Sequence, residues 1–464
     1  MATLTVPLTT RRHASPRSKA IPPLVRYFPI IFFQAFMTLT VLIFAFGPWD
    51  WPVENPFQLY SFIVINQLAI LFGYLLAVSE AQPARFSFPI SINEMVGICA
   101  ATSILILPAL TFHRTGGLID FSKAILQPGE AYNSTRAAAS MGAYSVVEYV
   151  GIILSPLFWP LLALTVTFWK KLSLPIRVAA IAGIVMNSLS FLLIGTNKGN
   201  VDLLSLTPWF LLLGSDSPEK VLTSRKVRNF FVTLLAAAIV FVPYFGNNIM
   251  TRSATRGAPS IYTGKEILQS SSSKAPGMNG GLADAYEYGF QELASYIGQG
   301  YYGLSLSLEE PFVWTYGAGH SRFFSWLAEK FTLQRIGAIA DQTYPVRVQH
   351  DFGWDADIHW STLYPWLASD VSFFGVPVVM FFIGRLFALT WIDSIGGNPT
   401  AVVVFGLLLV TLYYVSANAQ VAQAGDTVCV FWVYLIWWRI SRKPAMNGPT
   451  GFRHPSVRRL KSEW

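Results

Sequence analysis

Cysteine is nearly missing from this chain: Cys99 and Cys429 are the two in 464 residues, and both sit inside apolar runs. No disulfide framework can be built from them, and as small core residues they leave the redox compartment open. Charge is scarce too, at 12% of residues against 53% hydrophobic and 15% aromatic, which excludes an ordinary soluble domain. An internal repeat is lacking, as is a matched pair of Gly/Pro-broken spans of the kind that carriers place around a midplane site. Acidic residues inside the apolar runs are few. Glu94, Glu148 and Asp202 fall at run edges, where interfacial hydration accommodates them. The net charge of +8 is scattered through short loops and the C-terminal tail, not laid along one face with interleaved aromatics, so nucleic acid is not an expected partner.

What is present is a series of apolar windows matched to a hydrocarbon core of ~30 Å. They run near Tyr27–Phe46, Tyr60–Val78, Met95–Phe112, Val147–Phe168, Val178–Ile194, Leu203–Leu213, Phe230–Tyr244, Ser372–Trp391, Val402–Val415 and Thr427–Trp438. The expected fold class is therefore all-α, a polytopic helical membrane protein of about ten spans with one large external, mostly helical loop. The polar start is expected to be retained, because the first apolar run is too long for a signal peptide and lacks a small-residue cleavage site. With a cytoplasmic N-terminus, the inside segments gather most Lys and Arg, and the short outside loops keep Arg114, Lys123, Arg136 and Lys198. The positive-inside bias then puts both termini in the cytoplasm. The division that follows is a basic tail at 1–26, spans one to seven within 27–246 with an outer loop at 113–145, a large outer segment at 247–365, spans eight to ten within 366–439 and a basic tail at 440–464.

The outer segment holds three of the six histidines and nearly half of the acidic residues, so chemistry is sought there. Tyr286, Phe290, Leu293, Ile297 and Tyr301 recur at helical spacing, which predicts an amphipathic helix lying on the membrane plane. The run Ser270–Lys274 followed by Pro276, Gly277, Gly280 and Gly281 reads as a flexible connector. Farther on, Arg347, His350, Asp351, Asp355, Asp357 and His359 make the densest polar cluster in the chain. A carboxylate or imidazole there suits removal of a proton from a sugar hydroxyl, and Trp354, Trp360 and Tyr364 offer rings for sugar faces. Asp355-Ala-Asp357 matches the short pattern that binds a divalent cation with a nucleotide-sugar, but nucleotide-sugars do not occur on the outer face, so no metal is expected. Cations at the same surface suit a diphosphate: Lys198 in its Gly195–Gly199 turn, Arg136, and Arg252 with Arg256 after the seventh span.

Several stretches resemble the oligosaccharide repeat-unit polymerases, or O-antigen polymerases, of bacterial surface polysaccharide assembly. They are Phe46-Gly-Pro48 with Asn55-Pro56, the Gly195-Thr-Asn-Lys-Gly199 turn, and Trp360 through Asp370 to Gly375, which looks like the family's Thr…Asp-Phe-Gly-x-x-Gly start of a late span. Ser372 stands where that pattern has its first glycine, and Lys198 where an Arg is frequent. The resemblance implies a membrane glycosyltransferase of the bacterial inner membrane that joins undecaprenyl-diphosphate-linked repeats into O-antigen, lipopolysaccharide or exopolysaccharide without a cofactor. It implies Lys198, Arg252, Arg256, Arg136 and Arg347 on the diphosphate; Asp355, His359 or Asp370 as catalytic groups; and Trp354, Trp360 and Tyr364 on sugar. Membrane lipid, a chain-length regulator and a flippase are the implied partners. An O-antigen ligase and a transporter of lipid-linked glycans are the competing readings.

Overall fold

The computed structural model describes residues 21–443 apart from 81–84, 87, 118, 128, 134, 136–145, 197, 216, 257–281 and 332–337. The described chain is helical, with one two-residue antiparallel pairing, β1 (Arg85–Phe86) with β2 (Arg442–Lys443). Its first eight helices are α1 (Pro23–Phe46), α2 (Pro56–Glu80), α3 (Ile92–Arg114), α4 (Phe121–Leu126), α5 (Val146–Phe158), α6 (Leu161–Phe168), α7 (Leu174–Leu193) and α8 (Lys198–Leu213). The second half adds α9 (Ser224–Arg256), α10 (Leu282–Ser307), α11 (Arg322–Phe331), α12 (Tyr344–Phe352), α13 (Leu363–Ile395), α14 (Pro399–Tyr413), α15 (Gln420–Gln423) and α16 (Gly425–Ser441).

Among the described residues, six helices are long and apolar enough to cross a membrane: α1, α2, α3, α5 with α6 as one span, α7 and α13. The other four apolar windows also fall on helices, namely α8, α9, α14 and α16. Local chemistry sets their ends. Ser91 and Glu94 form a reciprocal capping box at the start of α3, and the Asn398 side chain accepts from the Thr400 and Ala401 amides to start α14. Helices α2 and α13 cross with almost no spacing. A Cβ on Gly73 would sit 1.9 Å from the Phe381 carbonyl oxygen and one on Gly384 2.1 Å from that of Ile70, the small-residue contact by which apolar helices pack closely in lipid. Trp209 is fully buried among Phe28, Phe32, Phe33, Phe230, Trp391 and Phe405, edge-on to most of them.

Contacts at the helix ends sort into two sets. At one end Arg26 donates to the Val78 carbonyl, Asn93 bonds Lys171 and Ser173, β1 pairs with β2, and Arg442 meets Asp393 at 3.0 Å. At the other, Trp49 donates to the Gln291 carbonyl, Arg114 meets Glu148, and the Thr362 and Leu363 amides donate to Ala417 and Val415.

The helix expected on the membrane plane sits elsewhere. It is α10, and it is wedged against α1 and α9: Tyr286 donates to the Ile239 carbonyl at 2.8 Å and the Tyr301 hydroxyl lies 2.9 Å from that of Thr40. Glu292, Ser295 and Gln299 are buried along it, so its polar residues face protein as well as water. Amphipathic spacing alone does not distinguish a membrane surface from a crevice between helices.

Candidate functional site

The N-terminal part of α13 carries Asp370, and four groups converge on its carboxylate. The Thr315 hydroxyl (2.5 Å) and Gly319 amide (2.9 Å) lie on Oδ1, and the His320 amide (2.8 Å) and ring Nδ1 (2.7 Å) on Oδ2. Thr315 is also within 2.6 Å of the Ser369 carbonyl, so the whole 315–320 turn is strung on two consecutive residues of one helix. Gly319 has to be glycine, since a Cβ there would reach 2.1 Å from the Thr315 hydroxyl. Asp370 is 9% exposed at its side chain and His320 29%. An aspartate holding Nδ1 of a partly open imidazole fixes the ring's orientation and leaves Nε2 for a proton, which is the arrangement of an oriented general base.

The next few residues tie this dyad to two neighbours. The Ser321 hydroxyl donates to the Ala422 carbonyl in α15, and the Phe323 ring lies against Gly425 at the start of α16. Arg322 bonds the Asp357 carboxylate and the Ala356 carbonyl, both at 2.6 Å, with its guanidinium over the Trp366 ring.

Beside α15 and α16 opens a cavity of about 400 Å³ between α3, α5, α6, α7 and α8. Its depth is apolar, walled by Leu107, Leu110, Leu161, Leu206 and Phe210. Its polar end collects Arg114, Glu148, Lys198, Asp202, Gln420 and Asp426. Arg114 grips Glu148 with two bonds of 2.9 and 2.8 Å, and Lys198 reaches Asp202 one turn on at 3.5 Å. An anion at this end must therefore exchange partners with two carboxylates rather than meet bare cations.

No family model matches this chain, and neither a curated protein nor a solved structure does.

The sequence candidates are placed as follows. Lys198 lines the cavity and Asp370 anchors the dyad. Asp355 caps its own turn by accepting from the Asp357 amide, and its carbonyl accepts from the His359 amide. His359 is buried, stacked on Trp354 at 4.2 Å, and burial pushes its pKa down to about 4 against the opposing pull of Asp355. So weak a base is poorly matched to proton removal near neutral pH. Trp354 is buried and donates to the Trp360 carbonyl; Trp360 is half-buried, edge-on to Tyr296. Tyr364 is a core residue, 2% exposed and edge-on to Phe62, so it presents no face to a sugar. Arg347 is spent on Glu310 (3.0 Å), the Pro311 carbonyl and the Tyr344 ring. Burial and a hydrogen bond with Asp351 raise the Glu310 pKa, while Arg347 works to lower it. No residue of the 350–360 tract lines the cavity that Lys198 lines, and the 320–323 segment touches both sides, with Arg322 on Asp357 and Phe323 against Gly425. Arg136 and the connector at 270–281 lie outside the described residues, as do the side chains of Arg252 and Arg256 in the last turns of α9.

Two residues escaped the sequence reading. His320 carried no signal beyond the Gly317-Ala-Gly319 run before it, since its partner is 50 positions away. Arg114, at the end of an apolar run and facing a Glu at the start of the next, was legible as a cross-span pair.

Proposed function

We propose that this protein is a membrane glycosyltransferase that polymerises oligosaccharide repeats carried on undecaprenyl diphosphate, at the outer face of the bacterial inner membrane. The reading includes ten spans, both termini in the cytoplasm and an outer segment after α9. Its main support is one adjacency: an apolar cavity with a cation-bearing polar end lies next to an oriented His–Asp pair, joined through Phe323 and Ser321. The cavity suits the lipid-proximal part of a polyprenyl chain, and its polar end suits a diphosphate.

In this mechanism the acceptor sugar hydroxyl attacks the anomeric carbon of the donor. The new carbon–oxygen bond forms as the bond to diphosphate breaks, the hydroxyl proton passes to Nε2 of His320, and undecaprenyl diphosphate leaves. Asp370 holds His320 in orientation and stabilises the imidazolium that forms. Lys198 and Arg114 turn from Asp202 and Glu148 toward the leaving group and offset its charge. A flippase supplying the donor and a chain-length regulator belong to the same proposal.

Turnover of a synthetic undecaprenyl-diphosphate repeat by the purified protein in detergent tests this reading. Extension to two and more repeats, with or without chelator, is the expected result; with no bilayer to cross, it also excludes a carrier. No extension under conditions where the protein stays folded would sink it. A ligase is separated in cells: loss of this protein should leave single repeats attached to the lipid A core, whereas loss of a ligase removes every attached form.

A further inference from the structure

The stretch between α10 and α11 carries two open rings on either side of Thr315. Trp314 and Tyr316 are each 55% exposed, with centroids 4.9 Å apart and planes inclined at 42°. Phe312 and Val313 continue the exposed run. Tyr316 has φ 57°, a region that costs a non-glycine residue about 1–3 kcal/mol. It is held there because its neighbours are pinned: the Thr315 amide and hydroxyl on the Ser369 carbonyl, the hydroxyl also on Asp370, and the Gly319 and His320 amides on the same carboxylate. The two rings therefore project from the turn that orients His320, at a fixed offset from it. Of the rings that the sequence offered for sugar, Trp354 and Tyr364 are buried and Trp360 is half-buried, whereas this pair is an open aromatic surface on the dyad's own turn.

We propose that Trp314 and Tyr316 form a stacking subsite for a pyranose ring of the incoming acceptor glycan, setting its hydroxyl over His320. The proposal rests on the glycosyltransferase reading and deepens it. A sugar presents C–H bonds on its flat faces, which favour the electron-rich faces of aromatic rings, while its hydroxyls stay at the edge for water and for a base. Two neighbouring open rings offer one sugar ring a wider aromatic face than either would alone.

The test is acceptor kinetics of the purified full chain in detergent. The lipid-diphosphate repeat is kept saturating as donor, and a water-soluble oligosaccharide fragment of the host's own surface polysaccharide is varied as acceptor. Trp314→Ala and Tyr316→Ala should each raise acceptor KM by about two- to tenfold, more than kcat falls, with donor KM within about twofold of wild type. Trp314→Phe should recover most of the loss. An unchanged acceptor KM in variants that elute and melt like wild type would overturn the subsite. Equal losses for donor and acceptor would also overturn it and mark the rings as headgroup anchors. If the wild type turns over no lipid-linked repeat, the transferase reading fails separately, and NMR line broadening of the same fragment decides the subsite. Binding by wild type and not by Trp314→Ala supports it; equal binding, or none, overturns it.

Discussion

Two polar stretches between α10 and α13 compete for the role of active site, and they differ in where their groups point. The 350–360 tract is the richer in acids and imidazoles, yet its groups are already engaged: Asp357 on Arg322, Asp355 on its own turn, His359 against Trp354, with Arg347 just before it on Glu310. The 315–320 turn has one imidazole and no acid of its own, yet its bonds converge on a carboxylate from another element and leave the imidazole partly open. Density of titratable residues marks a place where charges must be balanced. Convergence from distant elements onto one oriented, accessible group marks a place where a proton can be moved.

The comparison breaks most sharply at Asp370. Asp370→Asn keeps the side chain's shape but loses its charge and exchanges one acceptor oxygen for a donor NH2, so transfer should fall by about 10²–10⁴, read as a ladder collapsed to single repeats in the native host. A normal ladder would remove Asp370 from the site. Arg347→Ala, just before the other tract, should leave chemistry largely intact in the protein that survives but destabilise it by roughly 3 kcal/mol, because the nearly buried Glu310 would lose its cation. Its melting temperature in detergent is the measurement, with Arg347→Ala/Glu310→Gln recovering part of the loss.

His359 sharpens the contrast through pH. Its folded pKa of about 4 lies below the ordinary 6.5, so between these values the unfolded chain binds a proton that the folded protein refuses. The stability this confers is complete above pH 6.5 and is lost as pH falls toward 4, by at most about 3 kcal/mol. Melting across that window should show the decline, and His359→Gln should flatten it. The smallest effect belongs to Ser372, which breaks α13 with φ 60° and ψ 166°. Ser372→Gly should preserve the ladder and raise stability by about 1 kcal/mol; a loss of stability would mean that the bend is not strained.

The helices were legible because hydrophobicity over twenty residues is a local property: each of the ten apolar windows falls on helical chain, and among the described residues six helices are long and apolar enough to cross a membrane. The bend at Ser372 was not legible, because serine occupies a position whose backbone takes a conformation that glycine prefers. The placement of α10 was not legible, since the same face suits a crevice or a headgroup layer. Nor was the dyad, because His320 acquires meaning from Asp370 across 50 residues, a separation that no local pattern spans. How the 347–360 stretch is engaged was not legible either, because its partners, Arg322 and Glu310, lie outside it in sequence.

The most direct test sets the two histidines side by side in one assay, the initial rate at which purified protein joins undecaprenyl-diphosphate repeats. Transfer through the 315–320 turn requires that His320→Ala lose about a hundredfold or more, while His359→Gln stays within about tenfold of wild type. A full rate from His320→Ala, or the larger loss at His359, would contradict it.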